Sequence, residues 1–185
     1  ITAINVINGA TFTLCDCKGT GSITHKQGGG TGSGVVMSGG EFHMYGGSIT
    51  GNTANAGGGV YMGGGQFTMY GGSITKNTAE KDNRNNGGNG GGVCVNGGTF
   101  NMSGGSIGGT NDGEANTATY GGGVYVGGNN STFNMSDSAS IIKNEATESG
   151  GGVYVGGNNS TFNMSGGASV SGNTANVGGG VGVYS

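Results

Sequence analysis

Short apolar pieces recur along this chain, and each alternates between apolar and polar positions. One type reads Val60-Tyr61-Met62, Val93-Cys94-Val95, Val124-Tyr125-Val126 and Val153-Tyr154-Val155. A second reads Gln66-Phe67-Thr68-Met69, Thr99-Phe100-Asn101-Met102, Thr132-Phe133-Asn134-Met135 and Thr161-Phe162-Asn163-Met164. A third reads Ser48-Ile49-Thr50, Ser73-Ile74-Thr75 and Ser169-Val170-Ser171, and is usually followed by Gly or Lys, then Asn-x-Ala. Each piece is no longer than about five residues and is bounded by Gly or Asn, which suits a strand and is too short for a helix.

The period-two alternation assigns faces. All six phenylalanines (Phe12, Phe42, Phe67, Phe100, Phe133, Phe162) fall at one position of the repeat. Two residues later comes Leu14, Met44, Met69, Met102, Met135 or Met164. Phe and Met therefore share the inner face, while Thr13, His43, Thr68, Asn101, Asn134 and Asn163 between them face water. In the first piece the flanking Val or Met residues point inward and the central residue points out. Ile4 and Val6 open the chain in this register, and Val181 and Val183 close it.

Glycine triplets at 28, 57, 90, 121, 150 and 178 mark the coil starts. One coil cannot bury its own apolar face, but stacked coils can. The expected fold is all-β: a right-handed parallel β-helix of about six coils of 27–33 residues, with three short strands per coil. We place the coils at 1–27, 28–56, 57–89, 90–120, 121–149 and 150–177, with a partial coil at 178–185, in a single domain over 1–185. Stacking at about 4.8 Å predicts inner columns of Phe, Met and Val/Ile. Asn52, Asn77, Asn116, Asn144 and Asn173 all stand two residues before Ala and predict a structural ladder of amides at one corner, since Asn tolerates left-handed backbone and satisfies turn N–H groups. Glycine is expected at corners that need positive φ. Lys18–Gly21, Glu80–Asn89 and Gly109–Asn116 enlarge turns, and the last two are expected to be mobile surface loops.

Composition refines this picture. Glycine makes up 50 of 185 residues, with no Pro and no Trp, and only 8% of residues are charged. Such glycine content without periodicity would indicate disorder; the repeat and the 13 Phe and Tyr residues argue for an ordered solenoid. Six basic residues and a net charge of −3 make nucleic acid an unsuitable partner. No apolar run approaches the roughly 20 residues of a membrane span. The chain begins with Ile1 and carries no signal peptide, so we read it as a processed chain or part of a longer one.

The Val-Tyr-Val, Thr-Phe-x-Met-Ser/Tyr-Gly-Gly-x-Ile and Gly-Asn-Thr-Ala motifs resemble the β-helical repeats of large bacterial cell-surface proteins, especially those of gut bacteria. They are also similar to the passenger repeats of chlamydial polymorphic outer-membrane proteins. The opening Thr13-Leu14-Cys15-Asp16-Cys17 resembles the first coil of the same proteins. The resemblance covers nearly the whole chain and implies an adhesin-like module, extracellular or on the bacterial surface, partnered by surface glycans or proteins or by further copies of itself.

Candidate chemistry is sparse. The nine acids (Asp16, Glu41, Glu80, Asp82, Asp112, Glu114, Asp137, Glu145, Glu148) do not recur at one repeat position, unlike the clustered carboxylates of β-helical polysaccharide lyases and hydrolases. We therefore expect no enzyme activity, no cofactor and no resident metal, with a carbohydrate-binding or carbohydrate-active β-helix as the alternative. Glu41 beside His43 reads as solvated surface, and Asp112/Glu114 or Glu145/Glu148 as at most weak cation sites. Cys15-x-Cys17 leaves a metal pair or a disulfide open, but no further Cys or His completes a zinc set. Cys94 takes an outward tyrosine position and reads as a free surface thiol, with intermolecular cross-linking as the sharper reading. Outward Tyr61, Tyr125 and Tyr154 are the ligand-binding candidates, because phenol rings stack on sugars, with stacking along the solenoid as the plainer role. The outward rows Thr99/Asn101, Thr132/Asn134 and Thr161/Asn163 form a flat, nearly uncharged array of the kind ice-binding solenoids use, interrupted at Glu41, His43 and Gln66. Exposed coil ends are adhesive edges, and two ends in one strand register would allow heterologous, head-to-tail filament growth.

Overall fold

A computed structural model describes residues 2–25 and 32–184. The glycine triplet at 28, and the first coil boundary beside it, lie outside them. The chain is an all-β parallel solenoid of about six coils, with no helix among the described residues. Every strand pairing is parallel.

The strands form three sheets of eleven, six and four strands. The first two sequence pieces belong to one sheet. In two coils they fuse into single ten-residue strands, Val35–Met44 and Val60–Met69, longer than the pieces expected. Register shifts between Met37 and Glu41 absorb the three-residue links Ser38-Gly39-Gly40 and Gly63-Gly64-Gly65. In the fifth and sixth coils the five-residue links Gly127–Ser131 and Gly156–Ser160 keep the pieces apart. The Ser-Ile pieces make the six-stranded sheet. The residues after the corner asparagine add a fourth short strand, as in Thr53–Ala54 and Thr78–Ala79, and these build the third sheet.

Register determines the core. Phe42, Phe67, Phe100 and Phe133 stack at centroid spacings of 4.5, 4.6 and 4.7 Å with planes within 7°, matching the strand separation. All four are fully buried, as are Met44 and Met69, and Met102 and Met135 nearly so. The column weakens at its ends. Phe12 and Phe162 are only partly buried, and Met164 is 47% exposed, so these members of the expected core are not enclosed. Each has a neighbouring coil on one side only. Thr68 departs in the other direction: it is buried, with the Gln66 amide donating to its hydroxyl at 3.4 Å.

Glycine serves two purposes. The first residue of a triplet, Gly57, has φ +59° and turns the corner. The next two, Gly58 and Gly59, need no such backbone. A Cβ on either would come within 2.6 Å of the Gly91 or Gly92 carbonyl oxygen of the next coil. Close approach of coils, as well as positive φ, therefore demands glycine. The third corner takes the left-handed residue immediately before the ladder asparagine, supplied by Gly51 and Gly172 but also by Lys76 at φ 59° and Lys143 at 51°.

Candidate functional site

The corner asparagines join into one continuous ladder. Each donates its backbone N–H and its amide N–H to the Oδ1 of the next, from Asn52 through Asn77, Asn116 and Asn144 to Asn173, at 2.8–3.2 Å. The amide also reaches backwards to a carbonyl of the preceding coil, as from Asn77 to Ile49 at 2.9 Å and from Asn116 to Ile74 at 2.8 Å. Asn52, Asn77, Asn116 and Asn144 are buried, and Asn173 is half-buried. His25 is a member that the Asn-x-Ala spacing could not reveal. Its backbone N–H lies 2.9 Å from Asn52 Oδ1 and its Nδ1 also 2.9 Å, so the imidazole stands in for an amide. The signal available was its place two residues after Ile23, close to the Ile-x-x-Asn spacing elsewhere.

Of the three candidate sugar-stacking tyrosines, Tyr125 and Tyr154 lie down on the sheet. Tyr125 and Tyr154 stack at 5.3 Å, and Tyr184 covers Tyr154 at 5.3 Å. A Cβ on Gly127 or Gly156 would strike these rings, so the glycines form their bed. Tyr120 tilts against Tyr154 from the third sheet at 5.2 Å. Tyr61, equally half-buried, accepts a hydrogen bond from the Asn96 amide at 3.1 Å. Burial first, then the neighbouring Cys94, Tyr154 and Tyr120 groups, pushes the Tyr125 phenol up; burial, then Tyr120 and Tyr184, does the same for Tyr154.

Cys94 corrects the expectation of a surface thiol. It pairs in register with Tyr61 on one side and Tyr125 on the other, and is only 2% exposed. The small side chain sits in the row between two large rings and is covered by them. Burial pushes its thiol up to about 12, away from the thiolate that reacts. Cys15 and Cys17 are both free and exposed, so the structure holds no disulfide between them. Asp16 closes its own turn, accepting from the Gly21 and Lys18 N–H groups at 2.6 and 3.0 Å, and the Gly21 bond above all holds its carboxyl below its usual range.

The enlarged turns are closed by their own acids. Asp82 Oδ1 accepts from Arg84 and Asn86 N–H at 2.8 and 2.9 Å within a small antiparallel turn. Glu114 accepts from the Asn111 amide and backbone at 2.9 and 3.0 Å, which lowers its pKa. Among the described residues no three His, Cys, Asp or Glu side chains gather as metal ligands, and no helix is long and apolar enough to cross a membrane.

The outer face of the long sheet changes character along the axis. Asn101, Asn134 and Asn163 form a surface amide ladder at 2.8 and 2.9 Å. Over the second and third coils the same rows read Glu41, His43, Tyr45 and Gln66, Thr68, Tyr70. Glu41 Oε2 and His43 Nε2 lie 3.2 Å apart, and His43 Nδ1 is buried without a partner among the described residues. Tyr45 and Tyr70 stack at 4.7 Å yet remain 54% and 47% exposed. A groove of about 420 Å³ adjoins the other end of these rows, lined by Thr11, Glu41, Gln66, Thr99 and glycines.

Fold and ladders together define a parallel β-solenoid repeat protein. Comparison with protein-family models, with curated proteins and with solved structures finds no match.

Proposed function

We propose that the chain is a non-catalytic structural or adhesive module of a bacterial cell-surface or secreted protein, a rod that presents its outer face to other molecules. One observation carries this reading: the side chains that recur from coil to coil are engaged along the solenoid axis. The asparagine ladder and the phenylalanine column each link successive coils with one residue type. Each hydrogen bond contributes about 1 kcal/mol and each buried Phe about 2 kcal/mol, repeated at every junction. Such a design supports stiffness and display. The nearly uncharged outer face suits contact with surface glycans or proteins. Antibody labelling of intact source cells, with a reducing-sugar assay over a panel of polysaccharides, tests it. Surface labelling without turnover is expected; sustained turnover of any polysaccharide would overturn the non-catalytic reading.

A second reading, a self-assembling extracellular filament subunit, has its own support. Ile4–Val6 and Val181–Val183 occupy the same register of one parallel sheet, each paired on one side only among the described residues. Val181, Val183 and Met164 stand uncovered at 39%, 71% and 47% exposure. A second copy stacked head to tail would extend the sheet and cover them. Negative-stain microscopy at rising concentration should show rods of increasing length; monomers alone at high concentration would remove this reading.

A further inference from the structure

We propose that the outer face of the second and third coils is a binding site for a neutral oligosaccharide, with Tyr45 and Tyr70 as the stacking platform. The inference rests on the adhesive reading and assigns it a place and a ligand class. Tyr45 and Tyr70 follow Met44 and Met69 in the repeat, where Leu14, Met102 and Met135 are followed by Cys15, Ser103 and Ser136. The two rings stack with planes 12° apart and are about half exposed. Their neighbours at that position, Cys15 and Ser103, are too short to cover the outer ring faces. Tyr125 and Tyr154 stack in the same way but lie on Gly127 and Gly156 and are only partly exposed.

The rest of the face matches a hydroxyl-rich partner. Alternation puts Glu41, His43 and Tyr45 in one outward row, and Gln66 and Tyr70 in the next, with Thr68 buried between them. From Glu41 to Tyr45 the strip runs about 13 Å at roughly 3.3 Å per residue, and it continues into the groove beside Glu41, Gln66 and Thr99. The Glu41–His43 pair carries the strip's only ionisable groups besides the phenols, and at 3.2 Å each engages the other. The exposed Gln66 amide and the Thr11 and Thr99 hydroxyls of the groove supply the remaining hydrogen bonds. A pyranose offers an apolar C–H face to an aromatic ring and hydroxyls around its rim, which is the complement of this strip. A peptide adding a strand needs a free sheet edge, and here every strand beneath is paired on both sides.

Calorimetric titration of the full chain with cellotetraose, xylotetraose and mannotetraose tests the site. Binding of at least one is expected, weakened about tenfold or more in Y45A and Y70A and retained in Y70F, because loss of a stacking contact desolvated on both sides is of this order. Circular dichroism confirms that each variant folds. Binding by none of the three, or binding that survives Y45A/Y70A, overturns the site while leaving the adhesive module free to recognise proteins. Chromatography of the same mixtures reports separately on catalysis: shortened oligosaccharides would defeat the non-catalytic reading, whatever the tyrosine variants do.

Discussion

Asn52 donates both its backbone N–H and its side-chain amide to a single oxygen, Oδ1 of Asn77, at 3.1 and 2.9 Å. The step repeats with little change to Asn173, so each inner asparagine serves three coils: its own, the next through the amide, and the preceding one through a carbonyl.

Removing an inner rung should therefore cost more than removing the last. Asn116→Ala would strand two buried donors on Asn77, each costing about 1–3 kcal/mol, whereas the two that Asn173→Ala strands on Asn144 are part-buried, where water can replace the lost oxygen. A loss of about 3 kcal/mol is expected for Asn116→Ala and about 1 kcal/mol for the half-buried Asn173→Ala, read from urea denaturation. Equal losses would show that the ladder does not carry stability through the coils.

The phenylalanine column predicts a similar gradient. Phe100→Ala opens a cavity between Phe67 and Phe133, at the centre of the stack, and should cost about 3–5 kcal/mol. Phe162→Ala, at the partly covered end, should cost less than half as much in the same measurement.

Cys94 makes two linked predictions. In the native protein iodoacetamide should label Cys15 and Cys17 and leave Cys94 unmodified until the chain unfolds, as mass spectrometry would show. The thiol is raised in the folded state, from 9.0 to about 12. Folded Cys94 keeps a proton that the unfolded chain releases, so its contribution is complete below pH 9 and is lost as pH rises towards 12. The fall in stability over that window should be smaller in Cys94→Ala, with the raised Tyr125 and Tyr154 phenols accounting for what remains.

Lys76 holds φ 59° where other coils use glycine. A non-glycine residue there costs about 1 kcal/mol, so Lys76→Gly should be neutral or stabilising by up to about 1 kcal/mol. Gly91→Ala should behave oppositely, because its Cβ would meet backbone oxygens of two neighbours at 2.5 and 2.6 Å. Gly113→Ala, with φ +76° but open space around it, should lose only about 1 kcal/mol. Thermal melts of the three variants would test this order.

Strand parity decides which residues share a face, and the repeat decides which positions stack. Alternation placed every Phe and Met inside, and the recurring Asn marked one corner, because side-chain direction in a strand depends only on parity and an in-register parallel stack sets like on like. Exposure was decided elsewhere. Parity puts Tyr61, Cys94, Tyr125 and Tyr154 all outward, yet two of these rings lie on glycine, Tyr61 is half-buried beside Asn96, and the thiol disappears between its neighbours, while Tyr45 and Tyr70, just past the strand ends, stand clear. The same holds for the glycine triplets, whose second and third members answer to a carbonyl one coil away, and for His25, which joins the ladder through the distance to Asn52. Apart from the glycine beds, which lie two residues from their tyrosines, these outcomes depend on what the adjoining coil places beside a residue, at separations of 25 or more positions along the chain, and only the assembled stack brings those atoms together.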